Sequence, residues 1–155
     1  MGEQSSLTDL LDVSAIDLGA RAASKEDAVR ACGDKLVEIG AVGPAYVEAM
    51  LERERTISTY VGEGVAIPHG TLAGKDAVVR DALCYLRFAD PVDWGGEEVI
   101  VCVGIAAAGD GHVDVLAALA QVLMDPDQAA ALRAAQRPED VLAALAPREE
   151  EEVST

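Results

Sequence analysis

Apolar strand-like runs alternate with amphipathic helical stretches along these 155 residues, which predicts an α/β domain: a mixed β-sheet flanked by helices on both faces. Two observations carry that expectation. Val99 to Val103 is an unbroken, mostly β-branched apolar run, the pattern of a central strand covered on both sides. Ala28, Val29, Cys32, Leu36 and Val37 fall on one face at helical spacing, and so do Val115, Leu116, Leu119, Val122 and Leu123.

The remaining elements follow in order. Residues 1–13 are a polar lead with Leu10-Leu11 inside it, and Ser14 to Arg21 reads as a short first strand around Ile16 and Leu18. Ser24 opens a helix, with Asp27 three positions on in a variant capping box, and Gly40 closes it. Gly43-Pro44 starts a second helix, the proline standing where a missing N–H costs nothing. Val47, Met50 and Leu51 form its apolar stripe. Its polar end, Glu52-Arg53-Glu54-Arg55, reads as surface charges pairing weakly with one another. Val65-Ala66-Ile67 is a short buried strand, and Ala82 to Phe88 another. Pro91 to Gly96 is expected to be a turn holding the only tryptophan. Gly104 to Gly111 is a small-residue loop, with His112 at the start of the next helix. Shorter helices are expected around Gln128 to Gln136 and Pro138 to Leu145, with Pro126 and Pro138 at their starts.

Length gives one domain with a substantial core, placed here at residues 1–147, and an acidic disordered tail at 148–155 containing Glu149 to Glu152. With one Trp, three Tyr and one Phe, that core must be aliphatic. No apolar run reaches the roughly 20 residues that span a bilayer, and the start lacks a signal peptide's basic and apolar regions. The expected location is therefore cytoplasmic. A net charge of −16 argues against nucleic acid and anionic lipid as partners, because phosphates reward Lys and Arg. Cys32, Cys84 and Cys102 are widely spaced in apolar segments and form no CxxC pair, so they read as core residues of a reducing compartment.

The chemistry centres on Ser58 to Thr71, STYVGEGVAIPHGT, which contains one of the chain's two histidines. Pro68 fixes its own φ and keeps Ile67 extended, so His69 is expected at a strand terminus, rigid on one side and open on the other. Gly70 has no side chain and is expected to let another molecule's backbone approach. Val65, Ile67 and Gly70 are accordingly expected to form a shallow apolar patch for a partner. A second feature, Gly104 to Leu119 (GIAAAGDGHVDVLAAL), has the strand–loop–helix layout that gathers backbone N–H groups around an anion. It is no nucleotide P-loop, since no GK[S/T] follows its glycines.

STYVGEGVAIPHGT resembles the active-site segment of the enzyme IIA domains of the bacterial sugar phosphotransferase system, mannitol/fructose class, closest to the mannitol type. The similarity runs from about Leu10 to Leu145. It implies that His69 is the phosphoryl acceptor, that His112 is the family's second histidine, and that Arg53 is the arginine of the preceding helix. The implied donor is a histidine-phosphorylated phosphocarrier protein, and the implied acceptor a cysteine on the IIB domain of a sugar-specific membrane permease. No cofactor and no metal are implied, and the chain is expected to be a stand-alone IIA protein. A histidine nitrogen attacks phosphorus only when it lacks a proton, so the other nitrogen must hold the proton in a hydrogen bond. Charge on the transferring group must be stabilised, and an arginine, a second histidine and a helix N-terminus can do that. Three competing readings remain at this point. One is a fructose-type or nitrogen-regulatory IIA domain. Another is a small metal-dependent hydrolase using both histidines with Asp110 or Asp114. The last is a non-catalytic binding domain.

Overall fold

The computed structural model describes residues 7–71, 76–107 and 111–146, without the side chains of 111–113. The expected tail at 148–155 lies outside the described residues. The elements are α1 (Leu7–Leu10), β1 (Leu11–Ala20), α2 (Lys25–Glu38), α3 (Ala45–Thr56), β2 (Val65–Ala66), β3 (Ala82–Trp94), β4 (Glu97–Ala106), α4 (Gly111–Met124), α5 (Pro126–Ala134) and α6 (Pro138–Leu145). The strands form one mixed sheet in the order β1-β3-β4-β2. β1 runs parallel to β3, β3 is antiparallel to β4, and β2 is parallel to β4.

Alternation along β3 shows that helices cover both faces. Cys84 Sγ reaches the Cys32 carbonyl of α2 at 3.5 Å. Its neighbour Tyr85 points the other way and donates its hydroxyl to the Leu132 carbonyl of α5 at 2.6 Å. Between these layers Val99, Val101, Cys102, Val103 and Ile105 of β4 are fully buried, as a central strand requires. All three cysteines are buried and free.

Local chemistry sets most helix starts. Ser24 is the N-cap of α2, extended, its Oγ accepting from the Asp27 N–H at 3.1 Å. Asp125 caps α5 by accepting from the Asp127 and Gln128 N–H groups at 2.9 and 3.3 Å, and Pro126 follows it. α1 was not expected from sequence.

Three strand assignments change. β1 starts at Leu11 rather than Ser14, because register shifts between Leu11 and Ile16 and between Asp17 and Ala20 break the alternation that would reveal it. Pro91 to Trp94 is not a turn but the end of β3. The proline is tolerated because the register with β4 breaks between Arg87 and Val92. The reversal is confined to Gly95-Gly96, with φ of 70° and 103°, both in the left-handed region that a two-residue hairpin turn needs. Finally, β2 is only Val65–Ala66. Ile67 has left the ladder and donates its N–H to the Thr59 carbonyl at 3.0 Å.

Candidate active site

The Gly62-Glu63-Gly64 turn aims the signature segment. Its φ angles are 91°, 58° and 74°, three left-handed residues in succession, which explains the flanking glycines. Glu63 is held there by Arg133, whose Nη1 donates to the Glu63 carbonyl at 3.1 Å and to its Oε1 at 3.0 Å. The Gly64 carbonyl accepts from the Ile100 and Val101 N–H groups at 2.8 and 3.2 Å, and so delivers Val65 to the edge of β4.

Past β2 the chain stays alongside β4. The Ile105 N–H donates to the Pro68 carbonyl at 2.9 Å, and His69 lies opposite Ile105 in a parallel bridge. His69 thus sits at the carboxyl end of two parallel strands, where open α/β sheets place their sites. Its Nδ1 is 2.8 Å from the Ile67 carbonyl oxygen. A carbonyl can only accept, so in the neutral ring Nδ1 carries the proton and Nε2 the lone pair.

Three expectations about this segment are corrected. His69 is 4% exposed rather than open on one side, since its ring folds back onto its own backbone beside β4. The space over Gly70 is not left for a partner. Tyr46 fills it from within: a Cβ on Gly70 would lie 2.6 Å from Tyr46 Cε1. Nor do Val65 and Ile67 offer an apolar patch, because both are buried. The exposed apolar residues of this stretch are Ile57 at 64% and Val61 at 42%.

Arg53, in the last turn of α3, donates from Nη1 to the Ile57 carbonyl at 2.7 Å and so caps the helix where the signature segment begins. His112 falls in the first turn of α4, and its side chain lies outside the described residues, as does Asp110. Asp114 is exposed. Among the described residues no cluster of three His, Cys, Asp or Glu could hold a metal ion. Among them, too, no helix is long and apolar enough to cross a membrane.

Residues 9–147 match the family model of the phosphoenolpyruvate-dependent sugar phosphotransferase system, EIIA 2. The chain belongs to this EIIA 2 family. It is 43% identical over 136 residues to the mannitol-specific phosphotransferase enzyme IIA component of Halalkalibacterium halodurans, covering 88% of this chain and 94% of that one. The crystal structure of IIA mannitol from Escherichia coli superimposes with a TM-score of 0.80 at 37% identity, covering 87% of this chain and 98% of that one. An NMR complex of Escherichia coli enzyme IIA mannitol with phosphorylated enzyme IIB mannitol matches equally well. Its TM-score is 0.80 at 34% identity, over 90% of this chain and all (100%) of that one.

Two side chains that frame this candidate site escaped the sequence reading. Glu54 is 5% exposed, not a surface charge. Its carboxylate accepts from the Thr59 N–H at 3.0 Å, from the Thr59 hydroxyl, and from Trp94 Nε1 at 3.0 Å, with Lys25 Nζ at 4.0 Å. It therefore ties the signature segment to the end of α3 and to β3. The signal was present: Val47, Met50, Leu51 and Glu54 share one helical face. Tyr46 likewise stands on the inner side of α3, and its hydroxyl bonds the backbone at Gly70 and Ile105. Burial pushes its phenol up from the ordinary tyrosine value, despite the lowering effect of the Gly70 and Ala107 backbone.

Proposed function

We propose that this chain is a phosphoryl carrier of the sugar phosphotransferase system, taking a phosphoryl group onto His69 and passing it to the cysteine of a mannitol-type IIB domain. The observation that carries the reading is the hydrogen bond from His69 Nδ1 to the Ile67 carbonyl. It supports Nε2 as the nucleophile. In the first step the Nε2 lone pair attacks phosphorus on the phosphohistidine of the carrier protein. The donor N–P bond breaks and its electron pair returns to the donor imidazole. Positive charge then develops on the His69 ring, and the Ile67 carbonyl stabilises it through the same N–H. In the second step the IIB cysteine thiolate attacks phosphorus, and the His69 N–P bond breaks in turn.

The transferring oxygens need charge stabilisation more than covalent help. Of the five N–H donors on the Arg53 guanidinium, Nη1 bonds Ile57, and the fork is the natural partner of a phosphoryl group. His112 and the N–H groups of the α4 terminus supply further donors. The partner reading leans on the relative solved with phosphorylated IIB mannitol, and the sugar reading on the mannitol-specific relatives. Such a carrier works in the cytoplasm, where its donor is charged.

The test is incubation with a phosphoenolpyruvate-charged phosphocarrier, followed by intact mass. One phosphoryl group, labile to acid and stable to base, is expected, and His69→Ala should abolish it. His112→Ala and Arg53→Ala should each slow transfer by roughly 10²–10³ without unfolding the chain. Undiminished labelling of His69→Ala would end the proposal.

A further inference from the structure

Tyr46 lies near the start of α3, and its ring is 2% exposed. Its hydroxyl accepts from the Gly70 N–H at 2.9 Å and donates to the Ile105 carbonyl at 2.8 Å. These two groups belong to the two segments that build the site. Gly70 directly follows His69, and Ile105 is the residue of β4 opposite His69, next to the strand's last residue, Ala106.

A parallel bridge between His69 and Ile105 closes on two rungs. One is the Ile105 N–H to the Pro68 carbonyl. The other runs from the Gly70 N–H toward the Ile105 carbonyl, and the phenol sits astride it, bonded to both ends. The ring adds contact to this clamp, since Gly70 is pressed against it too closely for any Cβ. Burial keeps the phenol protonated at working pH, so its O–H stays available to Ile105.

We propose that Tyr46 is a positioning residue for phosphoryl transfer, its hydroxyl locking the backbone after His69 to the carboxyl end of β4. The imidazole on one side of that lock and the carboxyl end of β4 on the other are thereby held in register. The inference rests on the reading of His69 as the phosphoryl acceptor. Tyr46 itself is buried, so it acts on the rate of transfer and not on docking.

Tyr46→Phe keeps the ring and deletes only the hydroxyl. With charged phosphocarrier as donor, kcat should fall by about 10- to 100-fold, the scale of a small misplacement of reacting groups, while KM stays within about twofold. In ¹⁵N-resolved spectra the His69 Nδ1–H signal should broaden as its hold on the Ile67 carbonyl loosens. A kcat within about twofold of wild type, accompanied only by a lower thermal midpoint, would make Tyr46 a packing residue and overturn the proposal; so would a rise in KM alone. Should Tyr46→Phe not fold, site-specific 3,5-difluorotyrosine preserves the shape and lowers the phenol's pKa. The pH–rate profile should then gain a descending limb where that phenol ionises, and its absence overturns the proposal. A wild-type chain that takes no phosphoryl group on His69 sinks the parent reading instead, whatever Tyr46 does.

Discussion

Replacing Glu54 with alanine tests the structure where it departs furthest from the pattern of charges in the sequence. The carboxylate serves three donors: the Thr59 N–H, the Thr59 hydroxyl and Trp94 Nε1. The hydroxyl can rotate to another acceptor, but the two N–H groups are fixed by backbone and ring. Each buried donor left unpaired costs about 1–3 kcal/mol, so the pair predicts a loss of about 4 kcal/mol. Lys25 is partly exposed and rehydrates, adding little. Domains of this kind hold about 5–15 kcal/mol in total, so Glu54→Ala removes a large part of the stability. At about 2–4 °C per kcal/mol for a chain this size, the thermal midpoint falls by roughly 8–16 °C. Glu54→Gln, which turns an amide NH₂ toward one donor, should lose about 1–3 kcal/mol. Exposed Glu52→Ala is the control and should stay within about 0.5 kcal/mol of wild type. Urea unfolding followed by Trp94 fluorescence and by circular dichroism measures all three, the coincidence of the two signals checking two-state behaviour. A loss below about 1 kcal/mol for Glu54→Ala, or one equal to that of Glu52→Ala, would refute the buried network.

Two further outcomes follow from buried titrating groups. Burial pushes the Tyr85 phenol up to about 12, so the folded chain keeps a proton that the unfolded chain releases near about pH 10. Stability from this group is therefore whole below about pH 10 and is lost as pH rises toward about 12, and Tyr85→Phe should show a shallower base-induced decline; an identical decline would remove Tyr85 as its cause. The Cys102 thiol beside Cys32 and the Cys32 thiol beside Cys84, together with burial, push both groups well above the ordinary range. The native protein should resist alkylation on a timescale over which urea-unfolded chain modifies all three cysteines, and rapid native labelling would contradict that burial.

The sequence by itself determined whatever local geometry enforces. The apolar run at Val99 to Val103 could only be a covered strand. Ser24 started α2, and Pro126 and Pro138 started α5 and α6, because a cap or a fixed φ acts within one turn of backbone. His69 was legible as a candidate site residue because Pro68 and Gly70 flank it, and because the whole segment resembles one known family. What tertiary structure decided lies where residues far apart in the chain meet. The start of β1 and the Pro91 to Trp94 stretch obey their partner strands, and the register irregularities there erase the period-2 signal. Glu54 wears a charge that spoke for the surface while its helical position spoke for the core, and only Thr59 and Trp94 arriving together make its burial tolerable. Gly70 needs a hydrogen at its α-carbon for a reason no local pattern contains. The docking of α3 against the sheet brings the Tyr46 ring to that position, and where a packed side chain ends depends on every element beneath it.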